Sequence, residues 1–175
     1  MFDHCKIMAL SAILISGVAQ AEPTGPSDHV FKMPERAPGP SMETALTLAH
    51  EAMRVCAADG YKVAVLVVDS VNLPIVQLTA DGVIPISPEI VRHKAAASVK
   101  FKQPSSMVAE RMKTDRNVLL SVITDPEIRY VFGGALPITN KGQLIGAIAV
   151  SGAPKGEIDE ACGAKAIAKM VDDVP

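Results

Sequence analysis

The spacing of hydrophobic positions changes several times along this 175-residue chain, and each change marks an element. Met42, Ala45, Leu46, Ala49, Met53 and Cys56 recur at helical intervals and predict an amphipathic helix. Ser41 stands where an N-cap belongs, Glu43 suits the positive end of the helix dipole, and Gly60 supplies the stop. The run KVAVLVVD follows, apolar and β-branched without alternation, as expected of a strand covered on both faces. Ser70 to Asn72 turn the chain back into LPIVQLTA. There Pro74 removes a ladder donor, so the strand lies at an edge or the proline at the strand's start.

A second helix is expected from SPE, with Ser87 as cap, Pro88 at the first helical position and Glu89 in the first turn. It runs to about Phe101 and stops before Pro104. A short helix follows Ser105 and contains Met107 to Met112. Asn117 to Ile123 reads as a β-like apolar run broken by Asp125-Pro126. ALPIT and QLIGAIAVS flank Asn140-Lys141-Gly142, a three-residue hairpin connection whose glycine can take positive φ. In the second of these strands Leu144, Gly146, Ile148 and Val150 share one face, and Ile145, Ala147, Ala149 and Ser151 the other. Both faces are apolar or small, so the strand is central. A last helix spans about Glu157 to Val171. Helix, hairpin, helices, hairpin, helix predicts an α+β domain whose central antiparallel sheet is built from two hairpins and flanked by helices.

The segments outside this pattern divide the chain. Residues 1–21 read as a secretory signal peptide, with Lys6 near the start, an apolar run from Ile7 to Val18, and Ala19-Gln20-Ala21 as the cleavage site. That run is shorter than the roughly 20 residues of a membrane span. The expected location is therefore periplasmic or secreted, with no membrane span after cleavage. Residues 22–40, carrying Pro23, Pro26, Pro34, Pro38 and Pro40, read as an extended, mobile arm. Residues 41–175 read as a single domain. A net charge of −2 gives no electrostatic footprint for nucleic acid. Cys56 and Cys162 remain after cleavage, either as small core residues or as a bridge that an oxidising compartment would permit.

Lys94 carries the most information of any single side chain. It falls within the apolar arc of its helix, formed by Ile90, Val91, Ala95, Ala97 and Phe101, whereas Glu89, Arg92, His93 and Lys100 form the polar arc. A lysine there must snorkel, pair with an acid or meet an anionic ligand, because a buried lone charge is costly. Asp69 ends an otherwise apolar strand, as a turn residue or as the partner of Lys94. His50 and His93 stand at the flanks of their helices, and either imidazole could ligate a metal or haem iron. No phosphate-loop or nucleophile-elbow pattern occurs. The loop SGAPKGEID, opening the last helix, offers backbone amides to a carboxylate.

Taken together, Asp69 at a strand end, Asp81-Gly82 before a helix with HKAAASVKF, Gly133-Gly134 with Pro137-Ile138, and GAIAVSGAP followed by Asp159 resemble the GlcG/HbpS family. The same domain closes PduO-type proteins. The resemblance covers about Ser41 to Val171. It departs from the family pattern at Ser70-Val71-Asn72, at Thr79-Ala80 and at Ala149. It implies an α+β domain, homo-oligomeric assembly and, for some members, haem as a bound small molecule with a sensing or degrading role. On that reading Lys94, Gly133, Gly134, Ser151, Gly152 and Asp69 line the ligand pocket, and His93 or His50 reaches the iron. Two other classes stay open. One is an enzyme or accessory protein handling a small organic acid held by Lys94. The other is a non-catalytic oligomeric scaffold.

Overall fold

Ser41 Oγ accepts the Thr44 amide at 3.1 Å and starts α1 (Met42–Ala58) in the computed structural model, which describes residues 35–172. The expected signal peptide and most of the expected arm lie outside the described residues. Glu35–Pro40, the end of that arm, packs on the domain. Pro40 is buried and the Pro38 carbonyl accepts the Ser70 amide at 2.9 Å.

The apolar runs form four strands, β1 (Ala64–Asp69), β2 (Pro74–Thr79), β3 (Ala135–Asn140) and β4 (Gln143–Ser151), in one antiparallel sheet of order β2-β1-β4-β3. Pro74 opens an edge strand, where its missing donor costs nothing. Five helices are present among the described residues: α1, α2 (Ser87–Phe101), α3 (Ser105–Met112) and α5 (Gly156–Asp172) lie against the sheet, and α4 (Arg116–Ile123) packs on α3. The fold is α+β. Alternation along the two central strands divides the core. Val63, Val65, Val67, Ile148 and Val150 face α1 and α5, whereas Ala64, Leu66, Val68, Ala147 and Ala149 face α2. The alanines on the second face let α2 lie close to the sheet. Burying side chains such as Leu48, Ile148 and Leu66 contributes roughly 1.5–3 kcal/mol each.

The bridge between Cys56 and Cys162, both buried, fastens α1 to α5 on the first face.

Three local expectations differ from what is observed. Asn117–Ile123 is helical rather than β-like, because Asp115 Oδ1 accepts the amides of Asn117 and Val118 and launches α4, whose Val118 and Val122 pack with Val108 and Ile128. Ser87 is not the cap of α2. Ile86 holds that position without a side-chain bond, and Ser87 is already the first helical residue. The second hairpin turns on two residues, Lys141 and Gly142, at φ +50° and +79°, because Asn140 still pairs with Gln143. Positive φ at both central positions gives the primed turn that matches strand twist.

Candidate functional site

Lys94 projects from the sheet-facing side of α2 and is 2 % exposed. Its ammonium donates to Asp159 Oδ2 at 2.8 Å and to the Val150 carbonyl at 2.9 Å. The other oxygen of Asp159 accepts the Ala153 amide at 3.0 Å. Burial pushes the Lys94 ammonium below its ordinary pKa and the Asp159 carboxyl above its own, and their mutual attraction offsets part of each shift. The acid that meets Lys94 is thus Asp159, from the start of α5, and not Asp69.

Gly134 and Gly152 gather around the same pair. At Gly134 (φ +130°) an added Cβ would lie 2.5 Å from both Lys94 Nζ and the Val150 carbonyl. Gly152 adopts φ +142° with its backbone against the Lys62 carbonyl. Gly133 lies against Gly156, where a Cβ on Gly156 would come within 2.6 Å of the Gly133 carbonyl. Ser151 is buried and pairs with Ala64. Lys94, Gly134 and the Ser151–Gly152 loop therefore share one end of the sheet, with Asp159 between them. Asp69 lies elsewhere. It pairs with Gly146, five positions along β1 from the Ala64–Ser151 pair, or about 17 Å. Its Oδ1 accepts the amides of Val71 and Leu73, an Asx turn that closes the first hairpin.

The two histidines differ in kind. His93 is buried, despite its place on the polar arc of the helical wheel, because the loop carrying Glu127 and Tyr130 covers it. Its Nδ1 lies 2.8 Å from the Glu127 carbonyl. The cavity beside it measures about 260 Å³, below the usual 300–1,000 Å³ of a drug-sized ligand site.

His50 is exposed on α1 and its imidazole makes no hydrogen bond among the described residues. It borders two clefts. One of about 520 Å³ is walled by Leu46, Leu48 and Ala166, and one of about 530 Å³ by Met53, Ala57, Tyr61 and Leu78. Arg54 lines both, Lys169 the first and Lys62 the second. Glu51 accepts from Arg54 Nε at 2.9 Å and from Lys169 Nζ at 3.1 Å. These hydrogen bonds, Arg54 first, draw its carboxyl from the ordinary 4.5 down to about 2. Arg54, Lys62, Lys169 and Tyr61 were not singled out in the sequence. Arg54 stands one turn after His50 on the same helix, whereas Tyr61, Lys62 and Lys169 carry no such signal and join it only once α1 is seen beside α5 and β2.

Known proteins add a relationship. The family model described as "Haem degrading protein HbpS-like" matches residues 41–168. No curated protein matches the chain significantly. Among solved structures, HbpS is 28% identical, with a TM-score of 0.69 over 80% of this chain and 95% of its own. A double mutant of Streptomyces reticuli HbpS is 25% identical, with a TM-score of 0.69 over 93% of this chain and 99% of its own. PduOC, solved as a haem complex, shares the fold at 23% identity and a TM-score of 0.67, over 74% of this chain and 94% of its own.

Proposed function

Because this chain belongs to the HbpS-like family of haem-degrading proteins, we propose that it binds haem, with His50 as the iron ligand. The observation that carries this reading is the free imidazole between two ligand-sized clefts with apolar walls and cationic edges. The donor set fits the group. Leu46, Met53, Tyr61 and Leu78 offer apolar surface to a macrocycle, exposed Lys62 offers positive charge to a propionate, and Arg54 and Lys169, which share Glu51, leave one net positive charge at the first cleft's edge. Bound haem would supply a redox-active iron. The chain's own part is to hold that iron through His50 and to shield one face of the ring.

His93 is the weaker candidate because its cavity is too small for a macrocycle. No observation favours the organic-acid reading, since the Lys94 ammonium is already held by Asp159. Export from the cytoplasm is part of the proposal. The Cys56–Cys162 bridge supports it, because such bridges persist in oxidising compartments. Haemin titrated into purified protein should give a saturable Soret shift that is lost in His50→Ala and kept in His93→Gln. A shift that survives His50→Ala unchanged overturns the assignment.

A further inference from the structure

A cavity of about 260 Å³ is lined by Leu66, Asn72, Pro74, Arg92, His93 and Glu127, where α2 meets the first hairpin. Two polar atoms of its lining residues, His93 Nε2 and Asn72 Oδ1, are buried and have no hydrogen-bond partner among the described residues. Leaving a buried polar atom unsatisfied costs about 1–3 kcal/mol, so two beside one cavity call for an explanation.

Glu127 fixes the chemistry of both atoms. Its carbonyl can only accept, so His93 Nδ1 carries the proton facing it and neutral His93 presents a lone pair at Nε2. Its carboxylate likewise accepts from Asn72 Nδ2 at 3.2 Å, which identifies the free amide atom as the oxygen. Both free atoms are therefore acceptors. Glu89, one turn before His93 on α2, adds a third, with Oε1 3.6 Å from Nε2. That is too long for a hydrogen bond. It is within a few tenths of the roughly 3.4 Å that separates two ligands at ~2.0–2.1 Å from a tetrahedral metal. A ring nitrogen held by a carbonyl on its far side is the arrangement that orients metal-ligating histidines. Arg92, the cation among the lining residues, is exposed to solvent.

We propose a divalent transition-metal site at the edge of this cavity, with His93 Nε2 as anchoring ligand, Asn72 supplying an oxygen from the lining and Glu89 a second from outside it. Imidazole with oxygen donors suits zinc, nickel, copper or ferrous iron. Three protein ligands leave a fourth tetrahedral position open, as in catalytic rather than structural zinc sites. The site stands apart from His50 and does not rest on the haem reading.

The test uses chelator-treated, haem-free full chain. It is titrated with Zn²⁺ by calorimetry and with Co²⁺ by visible absorption. One equivalent should bind saturably, and Co²⁺ should develop the intense bands of a tetrahedral complex. His93→Gln should abolish uptake, while Glu89→Gln and Asn72→Gly should each weaken it about 10-fold or more. The last two variants keep the test sound if His93→Gln folds poorly. The Glu89 side chain is 51% exposed, and Asn72 has φ +66°, a backbone that glycine adopts without strain. His50→Ala should bind the metal as the wild type does. Absence of saturable uptake overturns the proposal. Affinity unchanged in both Glu89→Gln and Asn72→Gly overturns it equally.

Discussion

Reducing the Cys56–Cys162 bridge, with neither residue replaced, should remove about a third or more of the stability of an ordinary domain, which is about 5–15 kcal/mol. The bridge joins α1 to α5 across a sequence separation of 106. Cross-linking a loop of that length removes about 16 cal/mol/K from the unfolded chain, or about 4.8 kcal/mol at 25 °C. With roughly 2.1 cal/mol/K of unfolding entropy per residue over about 140 residues, the loss corresponds to a Tm about 16 °C lower. The folded state should change little, because both sulfurs sit in the core and a buried thiol packs as a small apolar group. Since neither residue is accessible, the protein is unfolded in denaturant with reductant, refolded under reductant and compared with the oxidised form by urea titration. The reduced protein should show a lower midpoint and a larger m-value, because an untethered unfolded chain exposes more surface. A loss below about 1.5 kcal/mol, with m unchanged, refutes the account.

Other outcomes follow from the buried ion pair and from α1. Lys94→Met leaves Asp159 buried without its cation and should cost about 3–5 kcal/mol by denaturant unfolding, whereas Lys94→Met with Asp159→Leu should recover most of it. Gly134→Ala should destabilise by about 2 kcal/mol or more, since φ +130° and the nearby Lys94 ammonium both oppose a Cβ. The folded-state pKa of Glu51 is depressed, so its stabilisation is fully present above 4.5 and is lost as pH falls towards about 2. Exposed Arg54 and Lys169 keep the effect modest, and Glu51→Gln should flatten the stability profile across that window. Double substitution of Arg54 and Lys62 by alanine should weaken haemin binding without moving the Soret maximum, because it removes charge from the cleft edge and leaves His50.

Elements whose hydrophobic period agrees with their tertiary setting were legible in the sequence. KVAVLVVD predicted a two-faced strand and β1 is buried throughout; Pro74 predicted an edge or a strand start and β2 has both. Asn117–Ile123 was misleading because seven apolar-rich residues cannot distinguish a buried strand from two helical turns. The deciding feature was Asp115 as N-cap, two residues before the run. His93 misled for a related reason. A wheel places it on the polar arc, but that side of α2 is roofed by residues from 127 to 130, more than 30 positions away in sequence. Periodicity reports which side of a helix faces its sheet. It is silent about a loop that returns to cover the other side.

The same limit explains why the motif residues stand apart from the two clefts beside His50. Lys94, Gly134, the Val150 carbonyl, the Ala153 amide and Asp159 come from the segments that carry the family resemblance, and they meet in one ionic joint with 2 % exposure at Lys94 and at Asp159. Such a joint tolerates little change: losing the lysine strands a carboxylate, losing the aspartate strands an ammonium, and a Cβ at Gly134 obstructs both. Residues under that constraint are tied to the fold of this domain, whatever the domain binds. His50, Arg54 and Lys62 lie on exposed or half-exposed surface of α1 and of the segment before β1, where substitution leaves the joint intact. A match to the glycine and lysine motifs therefore follows the joint and the fold. Haem affinity should instead track the side chains at positions 50, 54 and 62, so replacing all three with alanine should abolish haemin binding while the Lys94–Asp159 pair and the fold stay intact.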